Sequence, residues 1–198
     1  MTQATAVGRF DADTHTYTMD GSPVSSVTQV LSELFPLWPV DKWYLQRGQA
    51  VHACAAMLAR GREDFENDPQ IDGQVTALRR FFREVRPVIE YPSMDVEFPR
   101  YSARYRYAGT PDLICVIDGK TMVLDWKASI PKTLPYQLAA YGLLACVKYG
   151  VGVHIRDDGT YKMTDAYALK RYQPEWLAMR TTFAVMERLG AIKTQEER

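Results

Sequence analysis

The stretch GTPDLICVIDGKTMVLDWKAS, Gly109 to Ser129, holds two apolar, β-prone runs joined by Asp118-Gly119. Asp and Gly both tolerate the positive φ angles of a type I′ turn, so this pair between such runs predicts a β-hairpin with a two-residue loop. In that register Ile117 pairs with Lys120. Each residue outward then faces its counterpart on the other strand.

Continued outward, this register places Asp112 directly opposite Asp125, and Lys127 points to the same face as Asp125. Two carboxylates facing each other across a sheet repel and destabilise the hairpin. Either one carboxyl group holds a proton, or a cation lies between the two. A charged hairpin end held by a salt bridge to the lysine is the plainer interpretation.

Composition limits the protein class. A chain of 198 residues suits one ordinary domain, so we expect a single domain over 1–198. Within it we expect an N-terminal hairpin and short helix in 1–38, a core in 40–150, and a C-terminal hairpin and helix in 151–198. The hydrophobic content of 46% and the charged content of 24% are those of a globular protein. Lys plus Arg equals Asp plus Glu, so no net positive charge indicates a nucleic-acid partner.

The cysteines and the apolar runs bear on the compartment. Cys54, Cys115 and Cys146 share no metal-ligand spacing and stand among apolar residues, which predicts small buried side chains in a reducing compartment. No apolar run approaches the roughly 18 residues of a membrane span, and the polar start MTQATAVGRFDADT does not resemble a signal peptide. We therefore expect a cytoplasmic protein without a membrane partner.

Periodicity and turn residues predict the other elements. The predicted helices are 27–34 (capped by Ser25 or Ser26 and ended by Pro36), 40–60, one within 70–86, 134–150 with Gly150 as its stop, and 174–190. The predicted strands are a hairpin over 16–24 turning at Asp20-Gly21, 93–99, 103–108, and a second hairpin over 151–167 around Asp158-Gly159. This order is typical of a mixed α/β (α+β) domain with a small mixed sheet flanked by helices.

Several motifs then resemble one family. Pro111-Asp112 followed by Asp125-Trp126-Lys127 resembles the signature of the PD-(D/E)xK nuclease superfamily. Gln137-Leu-Ala-Ala-Tyr141, on the helix after that strand, is similar to the QxxxY motif of the RecB-like, Cas4-like and phage exonuclease branch. Gly48-Gln-Ala-Val-His52 resembles the helical histidine of the same branch. The resemblance covers roughly His52 to Tyr141 and implies a restriction-endonuclease-like core.

The resemblance also implies a metal site. Phosphodiester hydrolysis needs charge neutralised on the phosphate and a hydroxide near neutral pH, and Mg²⁺ or Mn²⁺ supplies both. Such cations favour oxygen ligands, which Asp112, Asp125 and the Trp126 backbone carbonyl can present. His52 is the third ligand by resemblance and favours Mn²⁺; taken alone, it would be a satisfied core histidine. Lys127 can orient the attacking water or stabilise charge on the phosphate.

Further residues are candidates for DNA contact or catalysis. Gln137 and Tyr141 are spaced i, i+4 and therefore share one face of a helix. The resemblance implies that they hold DNA by hydrogen bonding or stacking. The alternative is that they form part of an ordinary amphipathic helix face. Glu97 is a weaker catalytic candidate, at a position where family members carry an acid near the metal, and it could equally be a solvated strand acid. Arg104 and Arg106 alternate with tyrosines on a predicted strand and suit a groove that tracks a DNA backbone. Aromatic residues are also common on strands simply because they pack well on sheets.

Two sequence features that are missing narrow the choice among the branches of this superfamily. No cysteine follows Cys146, which excludes the four-cysteine iron–sulfur cluster of some relatives, and no GxxxxGK[ST] sequence provides a helicase motor. The sequence thus predicts a Mg²⁺- or Mn²⁺-dependent deoxyribonuclease, an exonuclease at DNA ends in phage-type recombination or DNA processing, in the bacterial host cytoplasm if phage-encoded. DNA is the expected partner, and a single-strand-binding or annealing protein is a possible second one. An endonuclease and a catalytically silent nucleic-acid-binding or regulatory protein on the same fold are the alternatives.

Overall fold

The computed structural model describes residues 7–36 and 42–192. Its strands are β1 Gly8–Asp11, β2 Thr16–Met19, β3 Ser22–Ser26, β4 Arg100–Ser102, β5 Tyr107–Gly109, β6 Leu113–Ile117, β7 Lys120–Lys127, β8 Tyr149–Ile155, β9 Tyr161–Met163 and β10 Tyr167–Ala168. Its α-helices are α1 Val27–Leu34, α2 Lys42–Ala59, α3 Asp72–Val85, α4 Pro92–Asp95, α5 Leu134–Ala145 and α6 Gln173–Arg188. In the described part of the chain, no helix has both the length and the apolar character needed to cross a membrane.

The strands form two mixed sheets. The first has the order β1-β2-β3-β5-β4, and the second has the order β10-β8-β7-β6, with β9 added to β8. In each sheet one pairing is parallel, β3 with β5 and β7 with β8, and the other pairings are antiparallel. The expectation of a mixed α/β fold with small sheets flanked by helices is confirmed.

The hairpin of β6 and β7 has the register that its turn predicts. Ile117 pairs with Lys120, and the ladder continues outward to Leu113 opposite Leu124. Asp118 and Gly119 form the loop with φ angles of 50° and 70°, the left-handed conformation that Asp and Gly tolerate. The local turn residues therefore fix which side chains share a face at the far end of the hairpin.

Helices cover both faces of the second sheet. Met122, Leu124 and Trp126 of β7 belong to a core cluster with α2 and α3. Val123, between them, belongs to the cluster of α1, α5 and α6 on the opposite face. Because side chains alternate along a strand, Asp125 and Lys127 share the Val123 face and point towards α5.

The predicted strand over 93–99 is wrong. Pro92 begins the four-residue helix α4, because proline suits the first turn of a helix. Val96 then forms only an isolated bridge with Leu113 of β6. Glu97 follows that bridge and lies next to the end of the hairpin.

The strand predicted over 103–108 is correct only for its last two residues, which lie in β5. Strand β4 ends at Ser102 and pairs back with β5, which begins at Tyr107, so the chain turns between them. Arg106 adopts a φ of 53°, and the backbone N–H of Arg106 donates to the Ser102 carbonyl. Arg104 and Arg106 therefore lie in a turn and do not alternate along a strand.

Two smaller expectations near α5 also fail. The helix ends at Ala145 because Cys146 takes the left-handed C-cap conformation, and Gly150 lies inside β8. Cys54 and Cys115 are buried as expected, but Cys146 is exposed. For the helix predicted over 40–60, residues 40–41 lie outside the described part of the chain, and α2 accounts for 42–59.

The remaining elements are confirmed. Ser26 caps α1, its hydroxyl accepting the Gln29 N–H at 3.0 Å. The hairpins at Asp20-Gly21 and around Asp158-Gly159, helix α3 within 70–86, and α6 from Gln173 are all present.

Candidate active site

One imidazole and two carboxylate side chains converge from three separate segments of the chain. His52 Nδ1, on α2, lies 3.3 Å from Asp112 Oδ1 and 3.7 Å from Glu97 Oε1. A ligand atom from each of the three residues lies within 4.8 Å of the other two. One imidazole nitrogen and two carboxylates at this spacing can hold a divalent cation.

Backbone contacts fix the position of Glu97. Its N–H donates to the Asp112 carbonyl at 3.2 Å, and the preceding carbonyl, that of Val96, accepts a hydrogen bond from Arg60 Nη2 at 2.9 Å. Glu97 adopts a φ of 49°, in the left-handed region that costs a non-glycine residue on the order of 1 kcal/mol. The chain thus holds the Glu97 carboxylate near His52 and Asp112 at a cost in backbone strain.

Asp112 is anchored to the neighbouring strand. Its side chain is buried, and Oδ2 accepts the backbone N–H of Trp126 at 2.7 Å. The Trp126 ring packs against Phe81 and Phe82 in the core, which fixes the strand that provides this N–H. Trp126 thus contacts Asp112 through its amide; the Trp126 carbonyl as a metal ligand stays a prediction.

A second group lies deeper, on the α5 side of the hairpin. Lys127 Nζ is 2.5 Å from Asp125 Oδ2, in an ion pair. Gln137 Nε2 donates to Asp125 Oδ1 at 3.0 Å and contacts the Tyr141 hydroxyl at 3.3 Å. Among the residues described, Asp125 is not part of the three-residue group within 4.8 Å.

Charge interactions shift the titration of the first group. Attraction to Asp112 raises the pKa of His52 well above its usual value, which favours the imidazolium when no cation is bound. Burial alone would raise the pKa of Asp112. Attraction to His52 and Lys127 and the hydrogen bond from Trp126 outweigh it, so the pKa of Asp112 is lowered.

In the deeper pair, burial outweighs charge attraction for Asp125 but not for Lys127. Burial, together with repulsion from Asp112, raises the pKa of Asp125 to about 6, although Lys127 acts against the shift. Burial would lower the pKa of Lys127, but attraction to Asp125 and Asp112 raises it above the usual lysine value. Lys127 therefore keeps its proton near neutral pH.

Both groups line one cavity of about 400 Å³, here called the catalytic cavity. It collects the predicted His52, Glu97, Asp112, Asp125, Lys127, Gln137 and Tyr141. It also includes side chains that carried no functional motif, among them His15, Tyr17, Thr28 and Thr110. Their place in or beside the first sheet and at the start of α1, a long-range property of the fold, brings them here.

The predicted DNA-binding residues have different surroundings. Tyr141 is 4% exposed, and its ring packs so closely on Gly109 that an added Cβ there would lie 2.7 Å from Tyr141 Cε1, so this ring cannot stack on a base. Arg104 lies over the Tyr105 ring, and the Arg106 carbonyl accepts two hydrogen bonds from Arg180. Neither arginine lines the catalytic cavity.

Comparison with known proteins gives limited similarity. No protein-family model matches the chain, and no curated protein sequence matches it. The crystal structure of an alkaline exonuclease (LHK-Exo) from Laribacter hongkongensis is similar at a TM-score of 0.41 and 10% identity, over 85% of this chain and 93% of that chain. The same exonuclease in complex with dAMP gives 0.38 and 12% over the same shares, and the crystal structure of SSO0001 gives 0.38 and 12% over 85% of each chain. At this level of similarity, the residues of the site must support any functional proposal.

Proposed function

We propose that this protein is a metal-dependent deoxyribonuclease and that His52, Glu97 and Asp112 bind its divalent cation. The convergence of these three groups within 4.8 Å, beside a half-buried lysine, is the observation that supports the proposal most. Two carboxylates favour Mg²⁺ or Mn²⁺, and the imidazole nitrogen favours Mn²⁺ of the two. Asp125 and the Trp126 carbonyl remain proposed as further ligands.

The residues divide the chemistry between them. When bound, the cation acts as a Lewis acid on the phosphate and lowers the pKa of a coordinated water. Lys127 is proposed to stabilise the charge that develops on the phosphate oxygens as the water oxygen bonds to phosphorus and the P–O bond to the leaving nucleotide breaks. Its raised pKa keeps the ammonium group protonated, so it acts as a charge stabiliser and hydrogen-bond donor and not as a general base.

Gln137 is proposed to act through Asp125. Its amide donates to Asp125 Oδ1 while Lys127 lies at Oδ2, so the Asp125 carboxylate is held from both sides. This arrangement sets the direction in which the lysine ammonium group points. The Tyr141 hydroxyl, which contacts the same amide, is the part of that side chain proposed to face the substrate.

An exonuclease acting at DNA ends is the proposed activity. The resemblance of Gln137–Tyr141 to the QxxxY motif supports it, and the same resemblance supports a phage-type recombination setting with a single-strand-binding or annealing protein as partner. An endonuclease would use the same groups on internal phosphates.

A gel assay with end-labelled linear DNA and covalently closed circular DNA tests the proposal, in Mg²⁺, Mn²⁺ or EDTA. We expect loss of linear DNA with either metal, intact circles, and no cleavage in EDTA. Asp112→Asn should be inactive. Asp118→Asn is the matched control, because Asn-Gly preserves the type I′ turn at the other end of the same hairpin.

The alternatives give different gels. Circles degraded as fast as linear DNA would indicate an endonuclease. DNA retained but uncut in every metal would indicate a binding or regulatory protein. Equal activity of Asp112→Asn and wild type would exclude the proposed site.

A further inference from the structure

A second cavity of about 290 Å³ lies next to the catalytic cavity and is here called the side cavity. His52 and Lys127 line both cavities. Most other walls of the side cavity are apolar or aromatic, and its lining residues include Tyr44, Arg47, Gly48, Val51, Gln74, Trp126 and Asp157. A group bound there would lie one side chain away from the proposed cation.

The polar end of the side cavity is held by a hydrogen bond and an ion pair to Asp157, whose side chain is 71% exposed. Asp157 Oδ1 accepts a hydrogen bond from Gln74 Nε2 and lies 2.6 Å from Arg47 Nη2. Gln74 is 5% exposed. At Gly73 a Cβ would lie 1.8 Å from the Asp157 carbonyl oxygen, so the absence of a side chain allows this close approach of the β8–β9 turn to α3.

Arg47 retains an unused donor. Its Nη2 pairs with Asp157 and its guanidinium lies 5.2 Å from the centre of the Trp43 ring, but its Nε is buried without a hydrogen-bond partner within the described ranges. A buried donor without an acceptor is destabilising, and a bound group with an acceptor at its edge would remove that cost.

Gly48 has no structural explanation within the helix. It lies inside α2, where glycine is destabilising relative to alanine, and its φ is not positive. An added Cβ at Gly48 would meet nothing within 4 Å. Neither a turn nor close packing requires glycine here, and the missing side chain leaves open space in the wall of the side cavity.

We propose that the side cavity receives one nucleobase of the DNA strand whose phosphate lies at His52, Glu97 and Asp112. This inference rests on the proposed nuclease function. A nucleobase has flat apolar faces and a polar edge; Gly48 leaves room for a face, the exposed Tyr44 ring can stack on it, and Arg47 Nε can donate to an edge acceptor.

The proposal restricts the form of the substrate. A base can enter the side cavity only after leaving the stacked duplex, which is least costly in a single strand or at a frayed end. A strand bound this way would have its backbone in the catalytic cavity and one base turned towards α2.

Fluorescence of 2-aminopurine tests base insertion without cleavage. Single-stranded oligonucleotides carrying the probe at the end or at successive internal positions are titrated with protein in EDTA. In wild type we expect one position to change its emission strongly on binding, because that base moves between new stacking partners. Tyr44→Ala should abolish the change and weaken binding about 10-fold.

Filling the cavity is the second arm of the test. Gly48→Leu should also abolish the emission change, and Gly48→Ala should reduce it while leaving the melting temperature equal or higher, because alanine suits a helix interior better. Tyr91→Ala is the matched control, since Tyr91 is 62% exposed, against 58% for Tyr44, and lies outside both cavities.

The outcomes separate this inference from the proposed function. If wild type cleaves DNA and Gly48→Leu and Tyr44→Ala give wild-type emission changes and affinities, the side cavity does not hold a base and the nuclease proposal stands. If wild type neither binds nor cleaves DNA, both proposals fail. Loss of the signal in Tyr91→Ala to the same extent as in Tyr44→Ala would also overturn base insertion.

Discussion

The two halves of the catalytic cavity compensate their charges in different ways. In the open half, His52, Glu97 and Asp112, two carboxylates face a single imidazole, and the His52 and Glu97 side chains are 35% and 30% exposed. In the buried half, Asp125 is paired with Lys127 and Asp125 is 1% exposed. The open half thus needs a proton or a cation from outside, whereas the buried half is neutral by itself.

This difference assigns separate tasks to groups only a few ångströms apart. Buried groups that satisfy each other belong to the folded core, so changing one of them costs stability. His52 and Glu97 are partly exposed, so they can be changed with less loss of stability but with loss of metal binding. Asp112 is buried and also accepts the Trp126 N–H, so its loss affects both. The experiments below test that division, from the largest expected effect to the smallest.

Truncation of Tyr141 should have the largest effect on folding. The side chain is 4% exposed and belongs to the core cluster of α5, so Tyr141→Ala should lower the free energy of unfolding by about 3–5 kcal/mol. Tyr141→Phe keeps the ring and should cost about 1 kcal/mol. Urea denaturation in EDTA measures both. A wild-type midpoint for Tyr141→Ala would show that the buried half is not part of the stable core.

Loss of Lys127 should have the largest effect on catalysis. Lys127→Ala removes the proposed charge stabiliser and should reduce the single-turnover rate at saturating DNA by about 10²–10³-fold. Lys120→Ala, at the other end of the same strand, is the control, because its ammonium group lies over the Tyr149 ring, far along β7 from the site. A wild-type rate for Lys127→Ala would leave the ion pair with Asp125 as a purely structural feature.

Metal affinity should distinguish the two aspartates. Asp112→Asn removes a member of the three-residue group and should weaken Mn²⁺ binding by at least the 10–100-fold that is typical of outer-shell changes, whereas Asp125→Asn should weaken it less. Calorimetric titration of each variant gives the affinities. Equal losses would place Asp125 in the ligand set alongside Asp112, and an unchanged affinity in Asp112→Asn would rule out the proposed cation site.

The smallest effect is a pH dependence of stability that belongs to Asp125. The pKa of Asp125 is about 6 in the folded protein against 3.8 in the unfolded chain, so the folded state holds the proton more tightly. The contribution of Asp125 to the free energy of unfolding therefore falls as pH rises from about 4 to 6. Asp125→Asn cannot titrate. The free energy of unfolding of the variant should therefore rise relative to wild type over that range, on the order of 1–2 kcal/mol.

Denaturation of both proteins at pH 4, 5, 6 and 7 in EDTA measures this difference. Asp118→Asn, the same substitution in the exposed turn of the same hairpin, serves as the matched control. A constant difference between Asp125→Asn and wild type would show that Asp125 is ionised throughout and that Lys127 fully compensates its burial.

Local signals explain what the sequence could predict. Asp118-Gly119 sets the hairpin register by its own backbone preference, and Ser26 caps α1 through its neighbour three residues on. Apolar periodicity similarly locates the helices from residues within the same segment. The closeness of His52 to Asp112 was implied by a family motif, and the structure brings these residues together.

Long-range packing explains what the sequence could not predict. Residues 93–99 have strand-like alternation, but Pro92 begins a helix and only Val96 finds a strand partner. The side cavity depends on Arg47, Gln74 and Asp157, which come from α2, α3 and the β8–β9 turn and carry no shared motif. Gly48, a glycine inside a predicted helix, is the one local sequence signal that could have indicated that cavity.

The left-handed backbone of Glu97 has a consequence for the selection of stable variants. Glycine adopts this conformation without the steric cost that a glutamate side chain incurs, so Glu97→Gly relieves strain while it deletes a proposed metal-binding carboxylate. A library screened only for heat resistance should therefore enrich glycine at position 97, whereas one screened for DNA cleavage should retain glutamate. Position 97 would then show where heat resistance and activity select for different residues.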